Sequence, residues 1–172
     1  MLIREATADD WPQIYDFFAQ IVAAGETYAY PDALRSDQAQ ALWVQPPPWR
    51  TVVAVDDRCV LGSAIVGPNR PGRGSHVATA SFMVSPDAQG AGVGRALGEH
   101  VLELARFDGY TAMQFNAVVE TNTAAVALWR SLGFTVVGTV PAAFRHARRG
   151  LVGLHVMHRL LAEPEPDSRE VV

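Results

Sequence analysis

The sequence contains no lysine, a single cysteine and no long apolar run. All 14 basic residues are arginine, and the missing lysine excludes the P-loop signature of nucleotide-binding proteins, which requires that residue. The single cysteine, Cys59, excludes an internal disulfide framework and is typical of a reducing compartment. Apolar runs stay well below the length that crosses a bilayer, and the acidic N-terminal segment is unlike a signal peptide. We therefore predict a cytoplasmic protein that does not bind membranes.

Charge is also scarce, because charged residues make up 19% of the chain and the net charge is −4. Residues 163–172 carry four acidic residues and one arginine, which leaves a net charge of −1 for the rest. A nearly neutral body argues against general nucleic-acid binding, which depends on neutralising phosphates. The length of 172 residues and the 49% apolar content indicate a globular protein with a core. We predict one domain over residues 1–162, followed by an acidic, flexible tail over residues 163–172.

Hydrophobic periodicity predicts a mixed α/β (α+β) fold. Strand patterns occur at residues 2–5, 50–56, 59–67, 76–84, 111–119, 134–140 and 151–160, and helical patterns at 11–25, 36–44, 93–108 and 122–132. Three consecutive prolines at 46–48 end the second helix. The arginine-rich segment between the last two strands is predicted to be a loop. The order of hairpins and crossover helices predicts a single mixed, mostly antiparallel sheet of about seven strands with helices on both faces.

The segment VSPDAQGAGVGRAL, residues 84–97, places glycines at 90, 92 and 94 between a predicted strand and a predicted helix. Glycine is a poor helix former, so three glycines at a helix start require a reason. Free N–H groups and the helix dipole bind anions at such a turn, and a missing Cβ lets a phosphate approach the backbone. Small residues also let a helix pack closely on a sheet, and the spacing does not decide between the two interpretations. The glycine order does not match the dinucleotide fingerprint G-x-G-x-x-G.

Two stretches of the sequence carry recognisable motifs. The first is QGAGVG, residues 89–94, which follows a predicted strand, and the second lies downstream at residues 122–134. They resemble the Q/R-x-x-G-x-G/A and N-x-x-A-x-x-L-Y-x-x-x-G-F motifs of the GCN5-related N-acetyltransferases. The two motifs occur on the expected elements and in the expected order, and the resemblance covers residues 2 to about 160.

The resemblance implies the family's fold and its reaction, in which an amine attacks the thioester of acetyl-CoA and coenzyme A leaves. Backbone N–H groups of residues 89–95, which we name the glycine loop, would hold the pyrophosphate, and the reaction needs no metal. The thioester would lie where two neighbouring strands separate, and a backbone N–H near Phe82 to Val84 would polarise its carbonyl. The residues assigned to acetyl-CoA in this way are Phe82, Met83, Val84, Gln89, Gly90, Ala91, Gly92, Val93, Gly94, Arg95, Asn122, Ala125 and Trp129.

Trp129 departs from the family motif, which commonly has a tyrosine there as a proton donor to the sulfur. An indole N–H does not act as an acid near neutral pH, so this role is not carried over to Trp129. A thiol has a pKa of about 8.5, so the thiolate is a fair leaving group that water or another residue can protonate. The plain interpretation is that Trp129 packs against the core and the coenzyme arm.

The stretches FNAVVETN, residues 115–122, and GETYAYP, residues 25–31, resemble a subgroup that acetylates small amines, including toxic proline analogues. By this resemblance Asn116 orients the substrate or the acetyl carbonyl, while Glu120 is a candidate base that deprotonates the ammonium through water. The alternatives are a buried structural hydrogen bond for Asn116 and an exposed strand-end carboxylate for Glu120. The two residues form the predicted catalytic set.

Glu26, Thr27 and Tyr28, together with Asn116, form the predicted substrate-binding set. A carboxylate can hold an amine, and aromatic rings add cation–π attraction. The alternative is a loop that merely covers the core. The arginines at 145, 148 and 149 are candidates for binding a substrate carboxylate or the coenzyme's 3′-phosphate, although an exposed loop is the commoner interpretation.

We therefore predict an acetyl-CoA-dependent N-acetyltransferase that acts on a small-molecule amine or an amino acid. The nearly neutral body and the aromatic loop favour the small acceptor. One alternative is an acetyltransferase of protein N-termini or lysine side chains. Another is an acetyl-CoA-binding sensor without catalysis, which the tryptophan at position 129 would suit. The resemblance also suggests a homodimer, since family members often dimerise.

Overall fold

The computed structural model describes residues 1–161, and the acidic tail predicted for residues 163–172 lies outside them. The strands are β1 (Leu2–Glu5), β2 (Arg50–Asp56), β3 (Cys59–Pro68), β4 (Val77–Val84), β5 (Ala112–Val119), β6 (Thr135–His146) and β7 (Gly150–Leu160). The helices are α1 (Trp11–Ala24), α2 (Ser36–Trp43), α3 (Val93–Phe107) and α4 (Thr123–Ser131), joined in places by short 3₁₀ turns. No helix within residues 1–161 is both long enough and apolar enough to span a bilayer.

The seven strands form one mixed sheet in the order β1-β2-β3-β4-β5-β7-β6, which confirms the predicted fold class. All neighbouring strands are antiparallel except β4 and β5, which are parallel. These two strands pair only through Val77 with Ala112 and Ala78 with Met113. Beyond those pairs, residues 79–84 and 114–119 continue without pairing to each other. We name the resulting gap the β4–β5 cleft.

Helices cover both faces of the sheet, as predicted, and each face has its own core. Helices α3 and α4 pack on one face, where Val93, Leu97 and Val101 recur every four residues along the buried side of α3. Helices α1 and α2 pack on the other face with an aromatic core that includes Trp11, Phe18 and Trp43. The residues on either side of the β4–β5 cleft are therefore held by two separately packed layers.

The last hairpin differs from the sequence prediction, because strand structure continues through most of the segment predicted to be a loop. Strand β6 extends to His146, and β7 begins at Gly150. The register of the two strands shifts between Val140 and Phe144, and Ala142 in this interval has a φ of 52°. A bulge that absorbs extra residues is not visible in hydrophobic periodicity. The hairpin thus brings its turn, residues 147–149, to the end of α1.

Candidate active site

The structure gives different reasons for a glycine at each of the three glycine positions of the glycine loop. Gly90 and Gly92 each have a φ of 80°, and a Cβ on either residue would meet nothing within 4 Å. Any other residue type would be strained there, and the space in front of the backbone is open. Gly94 has no positive φ, and its Cβ would make an ordinary contact 3.4 Å from Leu128. Only Gly90 and Gly92 therefore fit a backbone shaped for close approach by a ligand.

The N-terminus of α3 presents free hydrogen-bond donors next to this open space. The first intrahelical hydrogen bond runs from the N–H of Ala96 to the carbonyl of Gly92, 3.0 Å apart. The N–H groups of Val93, Gly94 and Arg95 therefore have no acceptor within the helix. The helix dipole adds a partial positive charge at the same end. Residues 89–92 are exposed, so an anion can reach this end of α3 from solvent.

Close packing of a helix is the other interpretation of the glycines. In the structure it applies to Gly98, one turn beyond Gly94 on α3. A Cβ on Gly98 would lie 2.7 Å from Cδ1 of Leu132 and 3.2 Å from Cζ3 of Trp129. Gly98 therefore lets α3 approach α4. The packing contact therefore falls to Gly98, and anion binding by residues 89–95 stays a prediction.

Arg95, predicted to bind phosphate, joins the two helices in this structure. Its Nη2 donates to the hydroxyl of Ser131 at 2.8 Å, and its Nη1 lies 3.5 Å from the carboxylate of Glu99. Both contacts are exposed, so a phosphate can compete for the guanidinium. The role of Arg95 in phosphate binding stays a prediction.

The edge of β4 that faces the cleft is occupied at Phe82. The N–H of Phe82 donates to the hydroxyl of Tyr28 at 3.0 Å, and that hydroxyl donates to the carbonyl of Phe82 at 2.6 Å. Both backbone groups of Phe82 bond Tyr28 rather than Ala64, its partner on β3, so they point away from β3 and toward the cleft. Burial raises the pKa of Tyr28 above its usual range, so its hydroxyl stays protonated at neutral pH. Met83 points away from the cleft into the α1–α2 core.

Trp129 packs in an aromatic cluster beside the cleft, on the face that α3 and α4 cover. Its ring centroid lies 4.7 Å from that of Phe82 and 4.9 Å from that of Phe115, and Phe134 completes the cluster. The side chain is 7% exposed. The predicted packing role is therefore present, and contact with a coenzyme arm stays a prediction.

Asn122 and Ala125 shape the first turn of α4. The side-chain Oδ1 of Asn122 accepts a hydrogen bond from the N–H of Ala125 at 3.2 Å, which makes Asn122 the N-cap of the helix. This contact explains the asparagine at the start of the second motif without a ligand. Direct contact of Asn122 with coenzyme A stays a prediction.

Asn116 lies on β5 at the cleft and is exposed, so it is not the buried structural residue that one interpretation predicted. Its Oδ1 accepts a hydrogen bond from Gln114 at 2.8 Å, and its Nδ2 donates to Oδ1 of Asn69 at 2.7 Å. We name these three side chains the carboxamide chain. Sequence reasoning missed Asn69, because its position after β3 carries no signal that it reaches β5.

Glu120 contacts β7, whereas Asn116 contacts Asn69, which follows β3. Its Oε1 accepts a hydrogen bond from the backbone N–H of Gly153 at 2.5 Å. A Cβ on Gly153 would lie 2.8 Å from Oε2 of Glu120, so the glycine makes room for this carboxylate. Glu120 is half-buried rather than free at a strand end, and the structure does not bring it into contact with Asn116. Its role as a base stays a prediction.

The predicted substrate loop is anchored to the last hairpin. The carbonyl of Gly25 accepts a hydrogen bond from the N–H of Ala147 at 2.9 Å, and the carboxylate of Glu26 lies 3.0 Å from Nη2 of Arg148. Thr27 follows, half-buried, and Tyr28 reaches β4. Since β5 lies between β4 and β7, the segment 25–28 crosses the cleft on the face covered by α1 and α2.

Metal-ligand clusters are absent from residues 1–161, and two surface concavities lie apart from the residues predicted for the site. Within residues 1–161, no group of three or more His, Cys, Asp or Glu side chains is placed to hold a metal ion. Two surface concavities of about 410 and 630 Å³ lie near Trp49, Asp108 and Tyr110, at the opposite end of the sheet from the glycine loop. Neither is lined by a residue predicted from the sequence.

Comparison with known protein families gives one match that covers most of the chain. The family model described as "Acetyltransferase (GNAT) family" matches residues 9–134. The match includes α1 to α4, the glycine loop and both strands of the cleft.

Solved structures share the whole fold. A GCN5-related N-acetyltransferase from Kribbella flavida is 59% identical, with a TM-score of 0.90, and the match covers 92% of this chain and 96% of that one. The putative acetyltransferase yncA from Salmonella typhimurium, solved with its cofactor acetyl-CoA, is 27% identical, with a TM-score of 0.81 and 98% of both chains covered.

A curated relative shares part of the chain. The N-acetyltransferase aca1 of Schizosaccharomyces pombe is 36% identical over 101 residues, which are 58% of this chain and 48% of that protein. The matched region therefore spans about half the length of this relative.

Proposed function

The chain belongs to the acetyltransferase (GNAT) family, and we propose that it is an acetyl-CoA-dependent N-acetyltransferase whose acceptor is the amine of a small molecule or an amino acid. The observation that supports this proposal is that the exposed N-terminus of α3, with its free N–H groups, directly follows a strand edge that has no strand partner. Strand β4 ends at Val84, and the glycine loop follows within a few residues. A ligand with a phosphate group and an extended amide-containing arm matches both features.

The residues of the glycine loop and of β4 fit acetyl-CoA. The open space at Gly90 and Gly92 admits a diphosphate to the free N–H groups at the start of α3. The unpaired part of β4 offers backbone groups to the amides of a pantetheine arm, as a sheet edge does to an added strand. Acetyl-CoA supplies an activated acetyl group at this place. The N–H of Phe82 then serves as the fixed donor that polarises the acyl carbonyl.

The acceptor side of the cleft favours a small amine over a protein chain. The segment 25–28 crosses the cleft and is held at both ends, so it narrows access from that face. The acid in this segment, Glu26, is already paired with Arg148. The same hairpin carries two more exposed arginines, Arg145 and Arg149, so its positive charge would favour an acceptor that also carries a carboxylate over a lysine-rich peptide.

The carboxamide chain supports acceptor binding on β5. Asn116 is exposed at the cleft, and Gln114 and Asn69 fix the orientation of its amide. An amide held in this way can donate to or accept from a polar acceptor molecule without a change of charge. We assign to Asn116 the role of orienting the acceptor or the acetyl carbonyl.

Proton transfer in this proposal does not involve Trp129. Its indole N–H is not acidic near neutral pH, and the thiolate of coenzyme A is a fair leaving group by itself. Glu120 is the candidate base that acts through water. Its Oε2 has no hydrogen-bond partner within residues 1–161, whereas Oε1 is held by Gly153.

An acetylation assay with a panel of amines tests the proposed function. Thiol release from acetyl-CoA should depend on a free amine or amino acid, and Asn116→Ala should lower kcat/KM for that amine about tenfold. Affinity for coenzyme A, which lacks the acetyl group, should stay within about twofold, because in either role Asn116 contacts only the acceptor or the acetyl group. Gln20→Ala, an exposed amide on α1 away from the cleft, is the matched control and should not change either value.

Two outcomes of this assay would contradict the proposal. Turnover with peptides but not with free amines would make the protein a peptide or protein acetyltransferase. Tight binding of acetyl-CoA with no turnover on any amine would make it a sensor without catalysis.

A further inference from the structure

The hydroxyl of Tyr28 satisfies both backbone groups of Phe82 in the β4–β5 cleft. It accepts from the N–H at 3.0 Å and donates to the carbonyl at 2.6 Å. A hydroxyl can do both at once only while it is neutral, because a phenolate would repel the carbonyl. The burial of Tyr28 raises its pKa and keeps it in that neutral form.

The contact is not needed to hold the ring of Tyr28 in place. That ring stacks on Tyr30, with centroids 5.5 Å apart and an interplanar angle of 5°, and it meets the edge of Trp43 at 6.1 Å. The aromatic core of α1 and α2 therefore packs the ring independently of the hydroxyl, and the ring can slide in its own plane against Tyr30 when the hydroxyl leaves Phe82. The hydroxyl projects from this core to a strand edge that has no strand partner at that point.

We propose that the Tyr28 hydroxyl is an internal substitute for the thioester carbonyl, holding the N–H of Phe82 until acetyl-CoA displaces it. This inference rests on the proposed function, which assigns the thioester to the cleft edge of β4. A backbone N–H and C=O left unpaired on a half-buried edge would be unfavourable in the protein without ligand. The hydroxyl satisfies both groups and also prevents another strand or peptide from pairing there.

Because the Tyr28 hydroxyl occupies the place of the acyl carbonyl, it should affect the binding of acetyl-CoA and of coenzyme A differently. An acyl carbonyl competes with the Tyr28 hydroxyl for one donor, whereas coenzyme A has no acyl carbonyl. The hydroxyl therefore lowers affinity for the acylated form relative to the free thiol. Removing it should increase the preference for acetyl-CoA.

The test compares Tyr28→Phe with Tyr30→Phe, which removes a neighbouring hydroxyl from the same stack. Calorimetry should show that the ratio of the coenzyme A and acetyl-CoA dissociation constants rises about three- to tenfold in Tyr28→Phe, as expected for one hydrogen bond. Amide hydrogen exchange, which does not depend on activity, should show that Phe82 loses protection in ligand-free Tyr28→Phe and regains it with acetyl-CoA. Tyr30→Phe should behave as wild type in both measurements.

Three outcomes would overturn the inference. An unchanged ratio and unchanged protection of Phe82 in Tyr28→Phe, with acetyl-CoA still binding, would overturn it alone. Weaker acetyl-CoA binding in Tyr28→Phe would mean that the hydroxyl holds the ligand rather than yielding to it. Failure of acetyl-CoA to bind the wild-type protein would overturn the proposed function as well.

Discussion

Substituting Gly92 by alanine tests two properties of the glycine loop, the positive φ of its backbone and the open space in front of it. Gly92 has a φ of 80°, and a Cβ there would touch nothing within 4 Å. The substitution therefore adds backbone strain of about 1–2 kcal/mol without a steric clash. It also places a methyl group in the open space before the free N–H groups of α3. Losing one hydrogen bond to a charged phosphate costs about 1.5–3 kcal/mol, which weakens acetyl-CoA binding about 10- to 150-fold.

Gly109→Ala is the matched control for strain. Gly109 has a φ of 84°, and its Cβ would also meet nothing within 4 Å. It follows the C-terminal end of α3, which is about 22 Å from the N-terminal end for a helix of 15 residues. Both variants should therefore lose about the same free energy of unfolding. Only Gly92→Ala should lose affinity for acetyl-CoA.

Urea denaturation gives the free energy of unfolding of both variants, and isothermal titration calorimetry gives their affinity for acetyl-CoA. The reasoning is refuted if Gly92→Ala is destabilised like Gly109→Ala but binds acetyl-CoA as tightly as the wild type. It is also refuted if Gly109→Ala loses as much affinity as Gly92→Ala, because the loss would then follow strain rather than position.

Two further predictions concern stability. A side-chain hydrogen bond from Arg4, followed by bonds from Thr7, lowers the pKa of Asp10 from 3.8 to about 2 against the effect of burial. The ionised carboxylate therefore stabilises the folded protein above pH 4, and this contribution disappears as the pH falls from about 4 to 2. In urea denaturation, the free energy of unfolding of Asp10→Asn should be about 2 kcal/mol below that of the wild type at pH 7. The two values should converge near pH 2. A constant difference at both pH values would contradict this. Gly153→Ala puts a Cβ 2.8 Å from both Oε2 of Glu120 and Cγ2 of Thr139 and should cost about 1–3 kcal/mol of unfolding free energy. Part of this loss should be recovered in the double variant with Glu120→Ala, and strictly additive losses would argue against the contact with Glu120.

Most of the fold follows from local sequence patterns. Strands and helices are predictable because apolar residues repeat with periods that match them, and the prolines at 46–48 mark a helix end. The exception is the last hairpin. A bulge at Ala142 with positive φ breaks the alternation, so the strand on its far side was predicted to be a loop.

The candidate site is only partly readable from the sequence, because its decisive contacts join distant segments. The glycine loop was predictable, since it lies within a few consecutive residues between a strand and a helix. The division between Gly92, which needs a positive φ, and Gly98, which packs on α4, depends on coordinates. The contacts of Tyr28 with Phe82 and of Asn69 with Asn116 each span more than 40 residues and follow no periodic pattern.

The crystal structure of the protein bound to acetyl-CoA tests the central claim most directly. The account predicts diphosphate oxygens about 3 Å from backbone nitrogens of the glycine loop and the thioester carbonyl at the N–H of Phe82, with the hydroxyl of Tyr28 displaced. Acetyl-CoA bound elsewhere, for example in the concavities near Trp49 and Tyr110, with the glycine loop empty, would contradict it.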